Sequence, residues 1–290
     1  MNFTEILEDY ENTLSEIESV ELHYSVATEA ETTDTVDNTT KKESKFDHLM
    51  KVLSEMIRIL LANIDTFKEK IKNSFQNFMM TNQGFEKQLR IAETRTTPAN
   101  AVRLITYTYN NQVLETPLSK FTQIVNIYAN KFDYLDTTKN NNPDDLLMME
   151  GDKLEKYILN KLGANEKDTR FKLYLQTLKK EFRGEKSEKI IKKSEIPNYR
   201  KYISNINVLE TRLTKLQLDV ARQVKDIDTK IRIKIKSPNV SDEQKNTLKK
   251  RLTNITKLFS MYTSFLEVYY LLKVEQILNA RVVLKRLYRF

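Results

Sequence analysis

The chain has 290 residues, 40% of them apolar, with four glycines, five prolines, no cysteine and a formal net charge of +8. Enough apolar material is present to bury a core, which excludes disorder throughout. The missing thiols exclude disulfides and thiolate metal sites, and so few turn residues exclude a sandwich or barrel, leaving an all-α class as the expectation.

Charge is divided along the chain. Residues 1 to 40 hold eleven Asp or Glu and no Lys or Arg, while the remainder carries 48 basic against 29 acidic residues, so a segment of −11 precedes a body of +19. Residues 1–24 read as an acidic amphipathic leader helix: Asn2 and Glu5 suit an N-cap and its reciprocal partner, and Phe3, Leu7, Tyr10, Leu14 and Ile17 recur at spacings of four and three. The leader shows no basic region followed by an apolar core, so no secretory signal is expected. Residues 25–44 are rich in Thr and Ser and nearly free of large apolar side chains. Such a segment cannot offset its own ordering entropy, and a flexible linker is expected there.

A helical domain is expected over residues 45–184. Met50, Leu53, Ile57, Leu60, Ile64, Phe67, Ile71 and Phe78 keep a helical stripe from Phe46, with Gly84 expected to end or bend it. Its most apolar part, around Met56 to Ile64, is interrupted by Arg58 and Asn63 and is too short to span a bilayer. Pro98 after Thr96 and Thr97 suits the first turn of a helix. Residues 105–114, ITYTYNNQVL, alternate around Asn110 and Asn111 and suit a small β-hairpin, with a helix as the alternative. Thr116 and Pro117 restart a helix bearing Leu118, Phe121, Ile124, Val125, Tyr128, Phe132 and Leu135; Asn140 to Pro143 break it, and Asp144 and Asp145 favour the next N-terminus. Gly163 and Gly184 stand where left-handed C-caps close two short helices.

Residues 185–290 are expected to form a long antiparallel helical hairpin that completes an elongated bundle. One arm carries Tyr202, Ile206, Leu209, Leu213, Leu216, Val220, Val224, Ile227 and Ile231, and Pro238 stops it. Ser241 with Gln244 forms a capping box that starts the other arm, which carries Leu248, Leu252, Ile255, Phe259, Tyr262, Leu266, Tyr269 and Leu272. Each stripe alone would be exposed, so the two are expected to face each other.

Chemistry is sparse. His23 and His48 have no metal-ligand spacing around them and read as surface positions, and Asp144 and Asp145 point to different sides of a helix. Four scattered glycines make no phosphate loop. No catalytic, cofactor-binding or metal residue is therefore expected, and the chain does not read as an enzyme. Lys249, Lys250, Arg251, Arg281, Lys285, Arg286 and Arg289 are the candidates for phosphate contact, the alternative being a solvated helical face. The aromatic run Phe259, Tyr262, Phe265, Tyr269 and Tyr270 has the spacing of a packing stripe, and Met148 and Met149 are read in the same way.

Ala27, Thr28 and Glu29, followed by Ala30, lie where the leader meets the linker. Here the chain resembles the internal head proteins of giant tailed phages of the phiKZ type. The resemblance implies an acidic propeptide that directs the protein into the prohead and is removed by a prohead protease after Ala, Ser or Gly, any residue, and Glu. The same short pattern recurs at Ser19 to Glu21, Gly84 to Glu86, Ala164 to Glu166 and Ser241 to Glu243. Glu29 is preferred because its segment is expected to be extended and exposed. The resemblance implies a non-enzymatic virion protein of the capsid interior, packaged or assembled with other virion proteins or with copies of itself. The basic body adds nucleic acid as a partner; no small-molecule substrate and no membrane are expected. The alternatives are a cellular, cytoplasmic helical adaptor and a peripheral membrane protein using residues 46–78 with Lys68, Lys70 and Lys72 on the polar side.

Overall fold

A computed structural model describes residues 2–33, 45–130, 132, 146–235 and 241–290. The fold is mostly α-helical with one two-stranded antiparallel sheet. Helix α1 (Phe3–Thr33) starts as its sequence dictates, with Asn2 N donating to Glu5 Oε2 at 2.7 Å and Glu5 N to Asn2 Oδ1 at 3.0 Å. It continues through nearly the first half of the expected linker, where Ala27, Glu29, Ala30 and Glu31 include strong helix formers.

Helix α2 (Lys45–Arg95) is 51 residues long and runs straight through Gly84. A mid-helix glycine costs only about 1 kcal/mol, and Phe78, Phe85, Leu89 and Ala92 on either side are buried. Pro98 opens no helix: residues 96–100 lead into strand β1 (Ala101–Tyr107), and Ala99 N donates to Leu287 O. The expected hairpin over 105–114 does not form. β1 pairs instead with β2 (Lys186–Lys192), Val102 opposite Ile191 and Ile105 opposite Glu188. Asn110 and Asn111 serve the next helix, α3 (Gln112–Asn130), where Asn110 Oδ1 accepts from Gln112 N and Asn111 O from Glu115 N. Pro117 therefore lies inside α3 and does not begin it.

A short 3-10 turn (Leu146–Met148) precedes α4 (Gly151–Leu162) and α5 (Phe171–Arg183). Gly163 closes α4 in the left-handed region at φ 82°. Gly184 closes α5 at φ 58° and ψ −160°, outside the αL basin. A Cβ there would stand 2.8 Å from Thr108 O, so the crossing of these two segments also requires glycine.

The first arm of the expected hairpin is two helices, α6 (Ile196–Ser204) and α7 (Ile206–Ile235), separated at Asn205, where ψ is 0°. The capping box of α8 (Asp242–Tyr288) is present: Gln244 N donates to Ser241 Oγ at 3.2 Å and Ser241 N to Gln244 Oε1 at 2.9 Å. The expected arm meets α8 chiefly through α6, and not along most of its length. α7 packs chiefly on α2 and meets α8 over a short region only, whereas α2 lies along α8 more extensively than any other helix. Leu216, expected in the seam, is half-buried.

The reason is in α8. Every described residue from Thr247 to Leu272 is buried or half-buried, with Leu258, Met261 and Val268 off the expected stripes also enclosed. A helix enclosed on all sides is a central helix, not one arm of a pair. Its small polar residues satisfy themselves locally, Thr256 Oγ1 donating to Leu252 O and Thr263 Oγ1 to Phe259 O. Asn254 Nδ2 donates to Leu147 O at 3.0 Å and Met149 O at 2.7 Å, fixing the 3-10 turn on α8.

One core runs from Ile6 to Tyr288. The expected boundaries at 44/45 and 184/185 do not separate cores: α1 packs on α2 and α8, and the sheet joins residues from both sides of 184.

Candidate functional sites

The Ala27, Thr28, Glu29, Ala30 pattern lies within the helical backbone of α1 and not in an extended strand. A protease that binds extended substrate would need the last turns of α1 to unwind, which helix ends do at low free-energy cost. Asn140 to Pro143, Asp144 and Asp145 lie outside the described residues, as do the side chains of His23 and His48.

The seven basic candidates do not form one surface. Arg251 is 3% exposed and Arg281 8% exposed, so both belong to the core. The Arg281 guanidinium sits 4.4 Å over the Phe78 ring and 5.7 Å from that of Phe85, and its Nη2 donates to Asn82 Oδ1 at 2.6 Å. Burial pushes its pKa down from the ordinary arginine value. Lys249 and Lys250 line a shallow cleft with Lys257 and Glu150, while Lys285, Arg286 and Arg289 are exposed at the other end of α8. At 1.5 Å per residue the two groups are about 50 Å apart. Sequence spacing could not separate buried from exposed arginines, because the aromatic partners of Arg281 lie on α2, about 200 residues earlier.

This difference is measurable. Arg281→Ala should lower unfolding free energy by about 2 to 4 kcal/mol, through lost stacking and an unpaired Asn82, whereas Arg286→Ala should change it by less than about 0.5 kcal/mol. Urea unfolding followed by circular dichroism reads both, and equal midpoints would show that the Arg281 stack carries no stability.

The leader half of α1 is a packed element. Ile6, Leu7, Tyr10 and Ile17 are buried, and the Tyr10 ring meets Phe171 edge-on at 5.3 Å. Its acidic face is read by the body: Lys70 pairs with Asp9, Lys172 Nζ reaches Glu11 Oε1 at 2.7 Å, and Lys179 Nζ lies 4.1 Å over the Phe3 ring. Beneath α1 a polar cavity of about 280 Å³ is lined by Asp9, Thr13, Asn63, Lys70, Ser264 and Glu267. Glu267 is 6% exposed, and burial pushes its carboxyl up to about 7, with Lys70 drawing it down and Asp9 adding to the rise.

A second polar cluster joins α3, α7 and α8. Glu115 Oε2 accepts from Arg212 Nη1 at 2.6 Å, and its Oε1 accepts from Lys273 Nζ and Tyr269 Oη, each at 2.9 Å. Burial raises the Glu115 pKa, but the bonds from Lys273 and Arg212 outweigh it and hold the carboxyl below its ordinary value. Lys273 Nζ also donates to Asn111 Oδ1 at 2.7 Å. No motif marks these residues; only Tyr269 and Lys273, four apart on α8, carry a local signal.

Among the described residues, no group of three or more His, Cys, Asp or Glu is placed to hold a metal ion, and no helix is long and apolar enough to cross a membrane. The fold and sites define a helical bundle built around one buried helix, with an acidic N-terminal helix seated on a basic body. No known protein family, curated protein or solved structure matches the chain.

Proposed function

We propose that the chain is a non-enzymatic virion protein of a tailed phage, assembled in the capsid with other virion proteins or copies of itself, whose acidic helix is seated on the basic body and is severed from the rest of the chain by a prohead protease that cuts after Glu29. The observation that supports this reading is the double attachment of α1, by buried Ile6, Tyr10 and Ile17 and by the body's Lys70, Lys172 and Lys179. Acidic residues seated on body lysines compete with genome phosphates for the same charges until the helix is displaced.

The packing changes what cleavage does. Because α1 is anchored through Ile6 to Ile17, a cut after Glu29 nicks the chain without releasing the leader. Denaturing intact-mass analysis of protein from virions should give a chain starting at Ala30, and incubation of the full-length chain with the protease under native conditions should give both fragments in one complex. Glu29→Gln should slow cleavage by an order of magnitude or more, since a carboxylate pocket loses a charge-assisted bond of roughly 1.5 to 3 kcal/mol. A virion protein with its N-terminus intact, or equal cutting of the Gln variant, would overturn the processing role.

A cellular helical adaptor is the second reading. It is favoured by the outer face of the sheet, where Ile105 and Ile190 are 68% and 60% exposed on two strands with unpaired edges.

A further inference from the structure

A cavity of about 520 Å³ opens between α3, α6, α7 and α8, away from the leader, and its volume is that of a small-molecule site. Its charged lining is Lys201, Arg212 and Lys273 against the single carboxylate of Glu115. Three of the donors around that carboxylate are already spent on it: Arg212, Lys273 and Tyr269. The cluster therefore neutralises Glu115 internally and leaves surplus positive charge facing the cavity. The Lys201 ammonium on α6 makes no ion pair among the described residues.

A second, independent observation lies at the wall. Gln276 on α8 lines the cavity, is 4% exposed, and its amide nitrogen has no hydrogen-bond partner. Buried polar groups are almost always bonded, so an orphan at a cavity wall marks a missing partner, and what it lacks is an acceptor. Asn198 and Asn205 bring further amide groups to the rim, while Tyr202, Leu209 and Ile277 supply an apolar wall.

We propose that this cavity binds a small organic anion, its phosphate or carboxylate oxygens held by Lys201 and Gln276 and its apolar body laid against Tyr202, Leu209 and Ile277. Donors without a carboxylate of their own select an anion, and Glu115, saturated by its neighbours, does not oppose it. The aromatic and aliphatic wall selects a ligand with a ring or short chain over the bare ion. The site is separate from the leader interface and does not depend on the virion reading.

The test uses the full chain with phenyl phosphate, phenylacetate and inorganic phosphate as probes, read by calorimetry and thermal shift. Saturable binding of at least one of the two aromatic anions is expected, with benzyl alcohol showing none; the stronger of the two identifies a phosphate or a carboxylate ligand. Lys201→Ala, at an exposed position, should weaken that binding about tenfold or more, as for loss of a charge-assisted bond. Gln276→Leu should weaken it as well, and Lys215→Ala, outside the cavity, should leave it unchanged. No saturable response at millimolar concentrations, binding of bare phosphate as tight as phenyl phosphate, or an unaltered Kd in Lys201→Ala would overturn the assignment.

Discussion

Phe121→Ala is expected to lower the unfolding free energy by about 3 to 5 kcal/mol, the range for removing a fully buried Phe from a core that cannot collapse around the gap. Phe121 on α3 has no exposed surface. Its ring meets Phe171 of α5 at 6.1 Å and Tyr262 and Phe265 of α8 at 5.2 and 5.7 Å, all edge-on. Phe171 continues the contact to Tyr10 of α1. Truncation would thus remove the centre of an aromatic chain joining four helices, along with edge-to-face terms of about 0.5 to 1.5 kcal/mol each. The neighbouring Thr122 hydroxyl, 2.8 Å from Tyr262 Oη, keeps α3 and α8 in register and limits the repacking available. Urea unfolding should show a lower midpoint with an unchanged slope. A loss below about 1 kcal/mol, the size of an average point substitution, would mean that these helices repack freely and that the aromatic chain does not organise the bundle.

What could be read from the sequence was local, and what escaped was tertiary. The caps at Asn2 and Ser241 are legible because both partners lie within three residues. The stripes of α2 and α7 repeat at helical spacing, and their described members from Leu53 to Phe78 and from Ile206 to Ile231 are buried except Leu216, which is half-buried. Strand β2, KSEKIIK, carries four charged residues and only Ile191 buried, and its partner lies about 85 residues earlier, so no window contains its signal. The reading of α8 as one arm of a hairpin rests on its stripe and its aromatic run and leaves out Leu258, Met261 and Val268, whose presence on the other faces marks a helix enclosed on all sides. The leader was legible as a helix but not as part of the core, because its attachment depends on Lys70, Lys172 and Phe171, which only the fold brings to it. Deleting residues 1–40 is consequently no clean test of the charge of the body, since it would uncover the surfaces that bury Ile6 and Ile17.

The same attachment makes stability depend on pH through Glu267. Its carboxyl, ordinarily near 4.5, is pushed up to about 7 in the folded chain, chiefly by burial against α1 and α2. Between those values the folded state holds a proton that the unfolded state has released, so unfolding free energy must fall as pH rises through the window. The contribution is fully present below about pH 4.5 and lost above about pH 7, and a shift of this size corresponds to roughly 3 kcal/mol. Lys70 of α2 and Asp9 of α1 are the charges that face it, the first drawing the pKa down and the second raising it. Ionised Glu267 is a desolvated charge facing Asp9 in the seam that α1 covers, and α1 should be the element that loosens. Glu267→Gln keeps the shape without the titration. The variant should match the wild type at about pH 5, exceed it by roughly 2 to 3 kcal/mol at about pH 8, and show slower hydrogen exchange in α1 at the higher pH. Histidine ordinarily titrates near pH 6.5, inside this window, but His23 and His48 are common to both proteins, so the difference between them isolates Glu267. If the variant loses stability between pH 5 and 8 as steeply as the wild type, Glu267 is not the titrating group, and the acidic helix is held with equal strength in either charge state of the seam.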